Sequence, residues 1–203
     1  MTTRPYFFLF KFALVLALAC SSLPLAAPAF AQVSTPSAPT PPREVPGDEG
    51  SVQKKMYESR PVAMLGGKSS WEEGFQNLSG SFAKIRAALK AAGVNEEGPP
   101  LAVFLETDDD GFKFEAMVPV GAPPAGGVQL GNGIRLTTTP NGATLKFQHR
   151  GAYDDIDSTY EAITAYLDEK GLNAANVFIE EYIKEAKTPD ENELAVDIYV
   201  FLK

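Results

Sequence analysis

Phe112-Lys113-Phe114-Glu115-Ala116-Met117-Val118 and Leu194-Ala195-Val196-Asp197-Ile198-Tyr199-Val200 are the two stretches that decide the fold. Set side by side, they place apolar residue on apolar residue and Glu115 on Asp197, as equivalent strands of a duplicated unit would. The elements before them repeat as well. The first is preceded by a short apolar strand, Pro61 to Leu65, that ends in a Gly66-Gly67 turn. A helix follows, with Ser69 or Ser70 as its cap and Glu72 or Glu73 three residues on. It carries Phe75, Leu78, Phe82, Ile85 and Leu89 at three- and four-residue steps and stops at Gly93. A strand from Leu101 to Leu105 then turns at Asp109-Asp110-Gly111 into Phe112. The second is preceded by a strand from Ala143 to His149 and a helix from Asp155 to Lys170. That helix has Ile156, Tyr160, Ile163 and Leu167 on one face, stops at Gly171, and leads to a strand from Val177 to Ile183. The pattern predicts an α+β fold, β-α-β-β written twice. It forms a curved antiparallel sheet with two helices on one face and a ligand cleft between the repeats, on the concave face left free of helices.

Repeat one is expected over residues 60–120 and repeat two over 143–203, with a Gly- and Pro-rich linker at 121–142 between them. Gly126-Gly127-Val128-Gln129-Leu130-Gly131-Asn132-Gly133 in that linker lacks the strand-loop-helix context and the Lys-Ser/Thr ending of a phosphate cradle. Residues 32–59 are rich in Pro, Ser and Thr and then charged, and are expected to form a disordered leader. Residues 1–31 read as a cleavable secretory signal: Arg4 and Lys11 first, an apolar run from Phe12 to Ala19, then Ala29-Phe30-Ala31 before a cut ahead of Gln32. A membrane-spanning helix needs about 20 apolar residues, and Ser21, Ser22, Pro24 and Pro28 interrupt the run. The expected destination is the periplasm or the medium. Leu16-Ala17-Leu18-Ala19-Cys20 is also close to a lipoprotein box, and lipidation of Cys20 is the one route to stable membrane attachment.

The chain has 18 basic and 26 acidic residues, a formal charge of −8. Removing 1–31 takes away Arg4 and Lys11 and no acid, which leaves −10. Such a surface repels phosphate backbones, so no nucleic acid partner is expected and cationic ligands are favoured. Cys20 is the sole cysteine, so the exported domain is expected to have neither disulfide nor thiol chemistry. With His149 as the sole histidine, no His-based metal cluster or Ser-His-Asp triad has members to spare. Asp108-Asp109-Asp110 lacks the oxygen-rich loop that calcium needs and reads as a solvated turn. No metal and no cofactor is expected.

The run Phe147-Gln148-His149-Arg150-Gly151-Ala152-Tyr153, then Tyr160 and Ala165-Tyr166-Leu167, resembles the GyrI-like small-molecule-binding domains. Phe178-Ile179-Glu180-Glu181-Tyr182 and the closing Val196-Asp197-Ile198-Tyr199-Val200-Phe201-Leu202 carry the likeness further. This family includes the effector-binding domains of AraC- and MerR-type regulators. The resemblance spans Arg60 to Lys203. It implies a pocket between the repeats, lined by aromatic side chains, with an inward glutamate two residues before the tyrosine. That glutamate would be Glu180. Strand side chains alternate, so Glu180 and Tyr182 share one face and Glu181 takes the other; the opposite assignment, with Glu181 inward, stays open. Tyr182, Tyr153, Phe114 and Tyr199 are the aromatic candidates. Trp71 packs on the core edge or lines the cleft. His149 is a hydrogen-bonded structural residue, or touches the ligand with Tyr153. No helix-turn-helix pattern precedes the domain, so direct transcriptional control is not expected.

Three functions compete. The first is an exported domain that captures a small lipophilic compound, cationic or neutral, because a carboxylate buried among aromatic rings is compensated by a cation that pairs with it and stacks on them. The second, also implied by the resemblance, is a hydrolase of strained cyclic electrophiles, with Glu180 as general base and Tyr182 or Tyr153 as partner. The third is a non-catalytic envelope protein that binds a protein partner, which calls for a collapsed cleft. Oligomeric state is not legible in the sequence.

Overall fold

A computed structural model describes residues 52–121 and 130–203, which lie in one compact unit, Val45–Lys203. The expected signal, its cleavage between Ala31 and Gln32, Cys20 and most of the expected leader lie outside the described residues. In chain order the elements are β1 (Gln53–Tyr57), β2 (Pro61–Ser70), α1 (Gly74–Ala92), β3 (Leu101–Thr107), β4 (Gly111–Pro119) and β5 (Arg135–Thr138). Then come β6 (Gly142–Gly151), a 3-10 turn (Tyr153–Asp155), α2 (Ile156–Lys170), β7 (Ala174–Lys184) and β8 (Leu194–Leu202). The fold is α+β: an eight-stranded sheet in the order β1-β6-β8-β7-β3-β4-β2-β5, antiparallel throughout, with two helices.

The duplication is plain in that order. Reading outward from the centre, β7-β8-β6 on one side matches β3-β4-β2 on the other, and the pseudo-twofold axis passes between β7 and β3, where Ala102 pairs with Glu180. Glu115 and Asp197 occupy matching strands, and both are ion-paired, Glu115 with Arg135 and Asp197 with Lys146 and Arg150. Each repeat also has an extra first strand that crosses to the other half: β1 pairs with β6 and β5 pairs with β2. These strands fall in the segments expected to be a disordered leader and a linker. That assignment is corrected: the ordered domain begins no later than Gln53, and Arg135–Thr138 is a sheet strand whose approach buries Leu130 and Ile134 in the core.

These crossings bend the sheet. Six strand spacings of about 4.8 Å would separate β1 from β2 by about 29 Å if the sheet were flat. Only residues 58–60 join them, a reach of at most about 14 Å. Residues 139–141 impose the same limit on β5 and β6, and the two links bind each other through Thr139 N–H to Arg60 O (3.0 Å) and Arg60 N–H to Thr139 Oγ1 (3.1 Å). The sheet therefore rolls toward its helix-free face, where Tyr57 from one edge, Val62 and Met64 from near the other, and Leu101, Ile179 and Tyr199 between them form one buried cluster. The concave face is thus a packed core and not the cleft expected there. The helices lie on the convex face over a larger cluster that includes Leu78, Phe82, Ile85, Ile163 and Leu167.

Two local expectations are also corrected. Gly66-Gly67 is not a turn; β2 continues to Ser70, and Gly67 is required because a Cβ there would stand 2.6 Å from Phe114 Cζ. Helix α1 starts at Gly74 instead of after Ser69 or Ser70, although Ser70 Oγ does accept from the Glu73 N–H (3.3 Å) in the turn just before it. Both helices end as read, on Gly93 and Gly171 in the left-handed region at φ 67° and 62°. The acidic turn is exposed, with Asp108 Oδ1 accepting the N–H groups of Asp110 and Gly111.

Tyr57 is the only buried residue of β1 and packs edge-on against Tyr199 at 4.7 Å. Replacing Tyr57 with Ala is expected to cost about 3 kcal/mol in chemical denaturation, and a chain beginning at Arg60 should lose at least as much. Unchanged stability in both would remove β1 from the fold.

Candidate functional site

Strand β7 carries two adjacent carboxylates at the centre of the sheet, and its alternation sends them to opposite faces. Glu180 and Tyr182 face the helices; Ile179 and Glu181 face the concave core. Glu180 is 2% exposed. Its Oε1 accepts from the Tyr160 hydroxyl and its Oε2 from the Tyr182 hydroxyl, both at 2.6 Å. Tyr160 reaches it because it sits on the core face of α2, one turn from Ile156 and Ile163. Across the axis stands Ala102, whose small side chain leaves the carboxylate its space. Among the described residues Glu180 forms no ion pair. Burial pushes its carboxyl above the usual range, the two tyrosine hydroxyls draw it partly back, and the charge of Asp157 adds to the rise.

Aromatic rings close around this group. Phe82 meets Tyr182 edge-on at 5.3 Å, Phe178 meets Tyr160 at 6.2 Å, and Phe75 meets Tyr153 at 5.4 Å, so α1, α2 and the 3-10 turn all contribute. The space left between Phe75, Phe82, Tyr153, Tyr182 and Leu194 is about 10 Å³, room for one water at most. The chamber is collapsed on its own side chains. Tyr153, Tyr160 and Tyr182 all keep their phenol protons to unusually high pH, chiefly through burial and then through the nearby Glu180 charge.

Of the candidate residues, Glu180, Tyr182 and Tyr153 come together here. Trp71 takes the core-edge position, its ring 5.1 Å from Phe112 and its Nε1 donating to Asp108 O. Phe114 is core packing under Gly67. His149 is not brought into the chamber: Val196 stands between it and Tyr182 in the sheet register. Its Nε2 lies 2.9 Å from Ala152 O and its Nδ1 2.8 Å from Thr159 Oγ1, which ties β6 to the start of α2. Burial lowers the imidazole pKa, which favours the neutral ring. Tyr199 is corrected outright. It pairs with Ile179 on the concave face and donates to Glu181 Oε2 at 3.2 Å, while Arg60 bridges Glu181 and Tyr57. Tyr160, Phe75, Phe82 and Phe178 were missed as site residues. The one available signal was Tyr160, a polar-tipped ring on an otherwise apolar helix stripe.

The described residues contain no cluster able to hold a metal, and none of their helices is long and apolar enough to cross a membrane. Fold and site together define a duplicated α+β domain closed on one central carboxylate. The model of the GyrI-like small molecule binding domain matches residues 51–203, and the chain belongs to that family. Similar solved structures include the EcmrR C-terminal domain (TM-score 0.60, 16% identity, 75% of this chain and 96% of that one). A hydrolase from Listeria innocua is similar as well (TM-score 0.52, 9% identity, 79% and 94%). So is SAV2435 bound to tetraphenylphosphonium (TM-score 0.50, 14% identity, 75% and 93%). No curated protein sequence matches the chain.

The raised pKa of Glu180 has a measurable consequence. The folded state holds this proton more tightly than the unfolded chain, so its contribution to stability is complete below the ordinary carboxylate range and is lost as pH rises through the raised value. Glu180→Gln removes that loss. The melting temperature of the variant minus that of the wild type should therefore climb as pH goes from 4 to 8, and a flat difference would show that Glu180 titrates normally.

Proposed function

We propose that this is an exported binding domain that captures a small lipophilic compound, a cation in the first instance, with Glu180 as counter-ion. One observation carries the reading: a carboxylate buried at the centre of the fold is held by two hydroxyls but, among the described residues, by no positive charge. A desolvated carboxylate in aromatic surroundings is costly. A lipophilic cation offsets that cost by ion pairing and by stacking on Tyr153, Tyr160 and Tyr182. A neutral guest fits the same chamber when Glu180 is protonated. SAV2435, of the same fold, has been solved with tetraphenylphosphonium, which is such a cation. The collapsed chamber matches what a pure protein-partner role called for, but that role leaves the buried carboxylate unexplained. Rings that pack against one another over Glu180 and part for a guest account for both.

Export to the periplasm or beyond is supported by the three-zone start of the chain and the small residues Ala29 and Ala31 before Gln32. The exported protein should carry Gln32 as its first residue by mass spectrometry; a lipidated Cys20 there would replace the soluble location with a membrane-tethered one.

A hydrolase reading is favoured by one feature, a high-pKa carboxylate with Tyr182 in contact, the arrangement of a general base and its orienting partner. Turnover of a cyclopropane-type electrophile, abolished by Glu180→Gln, would establish it.

In a thermal-shift measurement, tetraphenylphosphonium at about one hundred times its Kd should raise the wild-type melting temperature by about 5–10 °C. Glu180→Gln should lose most of that rise. Affinity should increase with pH as Glu180 gives up its proton. No shift with tetraphenylphosphonium or with other hydrophobic cations would sink the proposal.

A further inference from the structure

The chamber is closed, so a guest must enter through something that moves. Residues 185–193, which join β7 to β8, form a strap over the cavity between α1 and the Tyr153 turn. Glu185 and Ala186 line that cavity together with Phe75, Phe82, Tyr153 and Tyr182. Besides the Lys184–Glu193 pair at its neck, the strap is fastened to the rest of the domain by two polar contacts. Arg86 of α1 grips Glu185 with both terminal nitrogens, Nη1 to Oε2 at 3.0 Å and Nη2 to Oε1 at 2.7 Å, and holds Glu96 with Nε and Nη2 on its other edge. Further along, the Asp154 N–H donates to Pro189 O at 3.2 Å, which fixes the middle of the strap to the turn that carries Tyr153. Lys187 N–H to Glu191 Oε2 (2.7 Å) and Glu191 N–H to Thr188 O (3.3 Å) keep the strap itself folded as a unit.

The strength of these fastenings differs sharply from that of their surroundings. Tyr182 is anchored in the core, and β7 and β8 are paired on both sides. The Arg86–Glu185 pair is about one-third exposed, with side-chain exposures of 34% and 37%; its two-point grip and the shared Glu96 make it stronger than a lone surface pair, but it is reached by solvent and screened by salt. From the geometry we infer that strap 185–193 is the entrance to the cavity beside Tyr182, and through Tyr182 to Glu180, and that Arg86 is its latch. Opening then needs the loss of the Arg86–Glu185 pair, the Pro189 backbone hydrogen bond and the packing of Ala186 on the core, while the Lys184–Glu193 pair at its neck and the sheet stay intact. This rests on the ligand-binding reading above for its purpose but not for its mechanics. The latch sets how fast a guest enters and leaves; Glu180 and the rings set how tightly it is held.

Arg86→Met keeps the apolar stem on α1 and removes the grip. In the unliganded protein, hydrogen exchange at the Asp154 amide should become about two- to fivefold faster, while amides of β7 and β8 are unchanged. In 0.5 M salt the wild type should approach the variant. With tetraphenylphosphonium as probe, association and dissociation rates should both rise by a similar factor and Kd should change little. A double variant Ser79→Cys/Ala186→Cys in a Cys20→Ser background places thiols on α1 and the strap, both of which line the cavity. Oxidation should block the probe, and reductant should restore it, with the reduced form as the control for folding. Unaltered Asp154 exchange in Arg86→Met, or full-speed binding by the cross-linked protein, overturns the latch. Faster exchange without probe binding by any form would leave the latch standing and count against the ligand reading instead.

Discussion

The two three-residue links, 58–60 and 139–141, are the constraint from which the architecture follows. Each must carry the chain from one edge of an eight-stranded sheet to near the other, and neither is long enough to do so unless the sheet rolls up. Rolling closes the concave side into a dry cluster under Tyr57, Ile179 and Tyr199. It also leaves two helices on the convex side, where each follows its own half of the sheet. The space between them lies over the pseudo-twofold axis, where Glu180 meets Ala102.

The duplication is broken where it matters. At the axis the equivalent residues are Ala102 and Glu180, a methyl group facing a carboxylate. Two glutamates there would be like charges in contact without water, each raising the other's pKa. One glutamate with a small neighbour is tolerable, and it gives the chamber a single charge and a direction.

Glu180 and Glu181 show how environment assigns roles to identical side chains. They are neighbours on one strand and both are nearly inaccessible, 2% and 7% exposed. Glu181 has Arg60 against it, delivered by the first crossing link, together with the Tyr199 hydroxyl, so its charge is neutralised inside the protein and its work is to hold the roll closed. Glu180 has, among the described residues, only the hydroxyls of Tyr160 and Tyr182. A charge left uncompensated at the centre of a stable fold is a demand for a partner from outside, or for a proton.

The amino-acid sequence by itself determined the doubled β-α-β-β order, both helix ends at Gly93 and Gly171, the closing hairpin, and the pairing of Glu180 with Tyr182 on one face, because each is written in local periodicity of 3.6 or 2 residues. It could not reveal β1 and β5. These are edge strands held through backbone bonds along one side, with side chains mostly in water, so Gln53–Tyr57 and Arg135–Thr138 carry no alternation to read. The tertiary structure alone decided which face of the sheet bears the chamber, that Tyr199 belongs to the other face, and that Tyr160, Phe75 and Phe82 complete the site. Those outcomes depend on how far the sheet curls and on which helix side chain crosses to which strand, and beyond the polar tip of Tyr160 on an apolar stripe, long-range contacts of that kind leave no trace in the spacing of residues along the chain.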